Sequence, residues 1–244
     1  MIAGLERTSP GQAPLGPARV TTVELMHHPP CQHLPRHLHD HGFAAVVLSG
    51  GYIEAGDTGQ HRMEAGDVLF HQAWESHLDR FDGRGAEVLV LPIADQDIRA
   101  LTGRIDDPDE IVRQAERSPQ AAAQRLLADL LPKTPAAADW PDLLAQAMRA
   151  DPCLSLGAWA TQWGLHVGSL SRGFRQVFGT TPIGYRLTQR TRLAIDAVLH
   201  SQTPFSLIAQ DCGFADQAHM SRAIGRLAQT TPAVLRRRQA TAPL

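Results

Sequence analysis

Phe205-Ser206-Leu207-Ile208-Ala209-Gln210-Asp211-Cys212-Gly213-Phe214-Ala215-Asp216-Gln217-Ala218-His219-Met220-Ser221-Arg222 reads as two short amphipathic helices hinged at a glycine. Phe205, Ile208 and Ala209 fall on one stripe, and the small Ala209 lets the next helix approach closely. Gly213 sits where the chain must stop and reverse, in a left-handed conformation that glycine tolerates. Met220 and Ile224 then fall on the buried side of a second helix. The unit occurs twice. Leu156, Trp159-Ala160, Gly164-Leu165, Leu170-Ser171-Arg172, Phe174 and Thr181-Pro182 repeat it at an offset of 49 residues up to the glycine and 50 after it. Ser155 is a cap for the first short helix, and Thr203-Pro204 offers a start signal for its counterpart. Tyr185 to His200 reads as one long helix between the units. A single amphipathic hairpin is commonplace, but two in register, each closed by Thr-Thr-Pro, are not accidental.

This is helix-turn-helix geometry, in which the second helix enters the major groove of double-stranded DNA. Gly168, Ser169, Ser171, Arg172 and Arg175 fall on the open face of the first such helix. Gln217, Ala218, His219, Ser221 and Arg222 do so on the second. Arginine pairs bidentately with guanine and glutamine with adenine, while serine and backbone amides suit phosphates. The long helix is of a length to set the two recognition helices about one DNA turn apart. Charge follows the same division. The net charge of −2 hides 10 arginines against 4 acidic residues from position 151 onward, and 13 basic against 21 acidic residues before it. A basic module on an acidic one fits a DNA binder joined to a part that must not bind DNA.

Residues 151–238 resemble the DNA-binding domain of the AraC/XylS regulators. The first-unit side of the resemblance lies in Gly179-Thr180-Thr181-Pro182, Tyr185 and Arg190-Thr191-Arg192-Leu193-Ala194. The second lies in Ile208-Ala209, Gly213-Phe214, Asp216 to Arg222 and Thr231-Pro232. Met220 and Ile224 stand where that family usually has phenylalanines, and Gln229 where it usually has glycine. Gly168 and Gly173 within the first recognition helix are expected to weaken it, by up to about 1 kcal/mol each. The resemblance implies a non-enzymatic transcription regulator in the cytoplasm. It also implies a small-molecule effector and, for an activator, RNA polymerase as a partner.

The rest of the chain divides differently. Residues 1–19, rich in Pro and Gly, read as a mobile arm without the apolar stretch of a signal peptide. No run of about 18 apolar residues exists, so no membrane span is expected. The three cysteines, Cys31, Cys153 and Cys212, are scattered and suit a reducing compartment. Residues 20–94 alternate short apolar runs with turn signals and predict an antiparallel barrel. Phe43 to Leu48 is one strand, closed by a turn at Ser49-Gly50-Gly51. Val68-Leu69-Phe70 is another, and Glu87 to Leu91 a third, stopped by Pro92. Residues 95–138 read as a helical linker, and 139–244 as the DNA-binding domain. Within the linker, Ser118-Pro119 starts a helix to Leu131 with Leu126, Leu127, Leu130 and Leu131 on one side. That side suits either a homodimer or packing within the chain, and the family resemblance favours the dimer.

His37-Leu38-His39-Asp40 and Gly50 resemble the first motif of the cupins. Gly66-Asp67-Val68-Leu69-Phe70, with His77 eleven residues beyond the glycine, resembles the second. The resemblance implies a cupin-like sensor domain whose two motifs supply metal ligands, except that Phe43 holds the carboxylate position. His37, His39 and His77 are then candidates for a divalent metal. The other reading, with no cofactor, is a pocket for an organic effector lined by His37, His39, Val46, Leu48, Phe70, Trp74 and His77. His71 and His61 read as ordinary packing or surface residues. An iron cupin enzyme with a helical tail is the rival function, and it leaves the duplicated unit unexplained.

Overall fold

The computed structural model describes residues 7–8, 22–94, 97–98, 100–133 and 138–240. The arm expected over 1–19 lies outside them except for Arg7 and Thr8, and so does the linker segment 134–137. The chain forms two units, Met1–Asp139 and Trp140–Leu244.

The first unit is built on one sheet. Its strands are β1 (Arg7–Thr8), β2 (Glu24–His28), β3 (His33–Leu38), β4 (Phe43–Gly56), β5 (Gly59–Glu64), β6 (Asp67–His71), β7 (Ser76–Pro92), β8 (Thr102–Arg104) and β9 (Leu131–Pro132). The order is β1-β2-β7-β4-β6-β8-β9, with β3 also on β7 and β5 also on β4. All pairs are antiparallel except β1 with β2. The turn expected at Ser49-Gly50-Gly51 does not form. β4 runs through it as a bulge, with register slips between Val47 and Ser49 and between Gly50 and Tyr52. Gly50 takes φ 72° there, and a Cβ on it would lie 1.9 Å from the Gly85 carbonyl oxygen of β7. β7 likewise begins at Ser76, well before the strand read at Glu87. Both long strands therefore serve two halves of a sheet that folds over itself.

Alternation along β4 splits the core in two. Ala44 and Val46 join Val68, Phe70, Leu89 and Leu91 in a cluster closed by Ile111, Val112, Ala115, Ala122 and Leu126, with Leu48 packed against it. Phe43, Ala45 and Val47 instead join Tyr52, Met63, Leu69, Phe81, Ala86 and Val88 from both halves of the sheet. The second cluster is the enclosed one. Val46, Leu48 and Phe70, expected to line a pocket, thus face the helices. A shift of one residue in register inverts a strand's faces, and the alternation of this apolar run does not say which face is enclosed.

The helices over that outer cluster are α1 (Pro108–Ala115) and α2 (Pro119–Asp129). Asp107 and Ser118 cap them by accepting from Glu110 and Ala121 N–H, at 3.0 and 3.3 Å. Thus 95–138 is no bare linker, since its described part supplies two helices and two strands to the first unit. α2 stops at Asp129. Leu130 is extended and Leu131 pairs with Arg104 in β9. Leu126 is fully buried, and Leu127 and Leu130 pack beside it. Leu126, Leu127 and Leu130 are therefore taken up by the chain's own first unit, while Leu131 is exposed.

The second unit contains α3 (Trp140–Ala150), α4 (Leu156–Gln162), α5 (Val167–Phe178), α6 (Pro182–His200), α7 (Phe205–Asp211), α8 (Gln217–Ala228) and α9 (Pro232–Ala240). The repeat read from sequence is a repeat of burial. Trp159 and Ile208, Ala160 and Ala209, Leu170 and Met220, and Phe174 and Ile224 are all buried. Gly164 and Gly213 both have positive φ, 62° and 73°. The start signal at Thr203-Pro204 works differently from expectation, because Pro204 is the cap residue and provides no side-chain hydrogen bond. Gly173, expected only to weaken α5, has a packing reason. A Cβ there would meet the Trp140 ring at 2.5 Å.

α5 ends on Gly179 at φ 68°, while its counterpart α8 ends on Gln229 at φ 51°. A left-handed C-cap costs a non-glycine residue roughly 1 kcal/mol. Gln229→Gly is expected to raise the stability of the second unit by about 0.5–1 kcal/mol in urea denaturation. The gain is limited by loss of the Gln229 Nε2 bond to the Arg226 carbonyl. A lowered midpoint would show that this bond outweighs the backbone strain.

Candidate nucleic-acid interface and histidine centre

α5 and α8 start on side-chain caps that the sequence reading did not name. The His166 ring accepts from Gly168 N–H at 3.1 Å, and Asp216 accepts from His219 N–H at 2.6 Å. The apolar stripe of each helix, Leu170, Phe174 and Phe178 on α5 and Met220, Ala223 and Ile224 on α8, is buried, which leaves the opposite face exposed. Ser169, Arg172 and Arg175 are exposed on α5, with Gly168 and Ser171 half-buried. Gln217, Ala218 and Arg222 are exposed on α8, with His219 and Ser221 half-buried. Arg172 donates to Ser169 Oγ at 3.3 Å, a contact within its own helix.

Other arginines of this unit are braces. Arg186 donates to the Leu154 carbonyl, and Arg190 to those of Gly213 and Pro152. Arg236 donates to Val198 and Thr203 while lying over the Phe205 ring, 4.1 Å from its centroid. Arg149 donates to the Tyr185 hydroxyl. The basic excess thus divides into residues that tie α6 to both helical hairpins and residues left on the two recognition helices. Two helix-turn-helix hairpins on one connecting helix define a DNA-binding domain.

Comparison with known proteins agrees. Residues 159–238 match the family described as a helix-turn-helix domain. No curated protein matches the chain. Among solved structures it is similar to an AraC-type transcriptional regulator from Chromobacterium violaceum. The identity is 26% over 41% of this chain and 91% of that one, with a TM-score of 0.37. It is also similar to ToxT from Vibrio cholerae, at 10% identity over 91% and 98% of the two chains and a TM-score of 0.42. An unsaturated-fatty-acid-bound ToxT gives 11%, 89%, 96% and 0.39. No helix among the described residues is long and apolar enough to cross a membrane.

In the first unit, His37, His39 and His77 come together as the sequence predicts. Their ligand atoms lie within 4.8 Å of one another. β3 pairs with β7 so that His37 faces His77 across the ladder, with ring centroids 4.3 Å apart. His37 Nδ1 lies 3.0 Å from the Pro35 carbonyl, to which it donates as an N–H, leaving Nε2 as the acceptor. His77 Nδ1 lies 3.1 Å from Glu54 and 3.2 Å from Asp79. Both ring nitrogens of His39, and Nε2 of His77, are buried without a hydrogen-bond partner. Trp74 adjoins them in the turn between β6 and β7: its N–H donates to the His39 carbonyl, and His39 N–H donates to that of Glu75. Its φ of 66° is strained for so bulky a residue.

Two members were missed. His71, read as peripheral, is buried with its ring stacked on Phe43 at 4.3 Å. Glu54 was not read as a site residue because the expected turn at Gly50 ended the strand before it. His61, read in a turn, lies in β5 opposite Glu54. The structural signal for Glu54 was a lone carboxylate in an apolar stretch.

Burial governs the electrostatics. It lowers His37 to about 4 and His39 to about 2, helped by the charge on His77. Burial likewise holds His71 well below its usual range. Burial opposes charge on His77 too, but Glu54 and Asp79 together outweigh it and raise His77 well above the usual value. Burial lifts Glu54 to about 7.

Three histidines that resist protonation when folded, but take a proton near 6.5 when unfolded, remove stability as pH falls below 6.5. Glu54, raised above 4.5, acts in the opposite sense between 4.5 and about 7. His77 is already charged in the fold below 6.5 and adds no slope there. His28, also held low by burial, acts in the same sense as these three, while His77 joins Glu54 in opposing them only above 6.5, so the metal-free first unit is expected to melt at a lower temperature at pH 5 than at pH 7. Calorimetry at the two pH values checks this, and an equal or higher melting temperature at pH 5 contradicts it.

Proposed function

We propose that the chain is a transcription regulator that binds a specific double-stranded DNA site through α5 and α8. An effector held at the histidine cluster of the first unit tunes that binding. The observation that carries the reading is the duplicated hairpin with matching burial, which leaves Arg172, Arg175, Gln217 and Arg222 on exposed positions. The effector acts by differential affinity for the DNA-competent state. The test is selection from random-sequence duplexes, followed by affinity measured over a salt series. A recovered site should bind far more tightly than bulk DNA, with affinity falling as salt rises. Equal binding to all sequences would refute a specific regulator.

A second reading has its own support: the cluster holds a divalent metal on His37, His39 and His77. A buried nitrogen without a partner costs about 1–3 kcal/mol, and a cation satisfies several at once. Second hydrogen bonds from ligating histidines to carbonyl or carboxylate are the usual support of such ligands, and His37 and His77 have them. Three imidazoles suit zinc, iron or copper, which would supply a Lewis-acid centre with open positions. Elemental analysis of untagged protein, beside the His37→Ala/His39→Ala double variant, decides it. Near-stoichiometric metal lost in the variant supports the reading, and oxygen uptake by that loaded protein would favour a cupin-type enzyme over a sensor. Absence of metal in both leaves the organic effector.

A further inference from the structure

We propose that the first unit contains a second, inner cation site made by Glu54, His71 and His77, which binds a divalent first-row metal such as zinc. It goes beyond the three-histidine reading, sharing only His77 with it and using that ring's other nitrogen.

The geometry is that of a ligand set. Glu54 Oε2 lies 3.1 Å from His77 Nδ1 and 3.4 Å from His71 Nε2. A cation about 2.0–2.2 Å from nitrogen and oxygen ligands holds neighbouring ligand atoms roughly 3.0–3.5 Å apart. The three ligand atoms lie within 4.8 Å of one another, and all three residues are buried. His71 Nε2 makes no hydrogen bond although it is buried. At 3.4 Å from the carboxylate it has the separation of a fellow ligand rather than of a well-made donor.

Each ligand comes from a different strand and is held there. Glu54 sits on β4 beyond the Gly50 bulge, His71 ends β6 against the Phe43 ring, and His77 opens β7 opposite His37. Phe43, which removes a carboxylate from the outer set, thereby orients His71 for the inner one. Two imidazoles and one carboxylate form a set that zinc accepts with a position left open. The cation would take the place of the hydrogen that His77 Nδ1 shares with Glu54 and Asp79, and His77 Nε2 stays directed elsewhere.

The full-length protein, stripped with a chelator and reloaded with Co2+ or Zn2+, provides the test. Bound metal per chain and the visible Co2+ spectrum are the readouts. Glu54→Gln and His71→Ala should each weaken loading more than about tenfold, while the His37→Ala/His39→Ala variant keeps a Co2+ band. Wild-type loading in both inner variants overturns the inner site. Loss of all metal in the outer variant, with the inner variants unaffected, assigns the cation to the three histidines and also overturns it. No loading of the wild type refutes both sites. Circular dichroism confirms that each variant folds, and the near-isosteric Glu54→Gln carries the test should His71→Ala fail to do so.

Discussion

Replacing Arg172 and Arg222 together by alanine is expected to weaken binding to a selected duplex by about 2–6 kcal/mol, from about 1–3 kcal/mol for each base-reading arginine. The two side chains occupy equivalent exposed positions in α5 and α8, and Arg172 bonds within its own helix. Their removal should leave the melting of the second unit nearly unchanged, within about 0.5 kcal/mol. Base reading and phosphate contact separate by their signatures. If the arginines read bases, the single variants relax preference at particular positions of the site. If they meet phosphates, affinity falls uniformly and the salt slope drops by about 1 for each residue. Unchanged affinity in the double variant would remove both helices' arginines from the interface. Arg190→Ala is the contrasting control. Its bonds to the carbonyls of Gly213 and Pro152 predict loss of stability before any loss of sequence preference.

Gly50→Ala is expected to destabilise the first unit by about 3 kcal/mol or more. The added carbon would sit 1.9 Å from the Gly85 carbonyl oxygen and 2.9 Å from Ala86 Cα, both backbone atoms that cannot rotate away. The φ of 72° adds about 1 kcal/mol for any residue with a Cβ. Relief requires β4 and β7 to part at the bulge, which is where both strands cross between the halves of the sheet. Glu54 and His77 lie beyond that crossing, so the variant should lose cation loading together with its cooperative melting transition. Native-like melting of Gly50→Ala would mean that the bulge can relax at little cost. Gly51→Ala is a milder comparison, since its Cβ would meet the Met63 carbonyl at 2.8 Å without a positive φ.

The same glycine explains the largest difference between the sequence reading and the fold. Ser49-Gly50-Gly51 has the composition of a turn, and composition alone does not distinguish a turn from a bulge in a strand that continues. The distinction depends on what approaches the glycine from another strand. Ending the strand at Leu48 hid Glu54, and with it the carboxylate that faces His71 and His77. The assignment of Val46, Leu48 and Phe70 to a pocket failed for a related reason. An apolar run buried on both faces does not report which face encloses the site, and here α1 and α2 cover the face that was chosen. The leucines of α2 show the converse. Their spacing correctly indicated a buried stripe, but spacing is silent on whether a second chain or the chain's own sheet buries it.

What the amino-acid sequence determined by itself was everything local or repeated. Two hairpins with apolar stripes, glycine hinges and a closing Thr-Thr-Pro are specified by near-neighbour geometry, so their burial and exposed arginines could be read directly, while the caps on His166 and Asp216 could not. His37, His39 and His77 were likewise legible, through the resemblance of their two segments to the paired motifs of the cupins. Only the tertiary structure decided how β4 and β7 pass through both halves of the sheet, which face α1 and α2 cover, and which arginines are braces. It alone brought Glu54 and His71 to His77. Those outcomes rest on contacts between residues distant in sequence, whose energies depend on register and on backbone approach rather than on any residue's own preference.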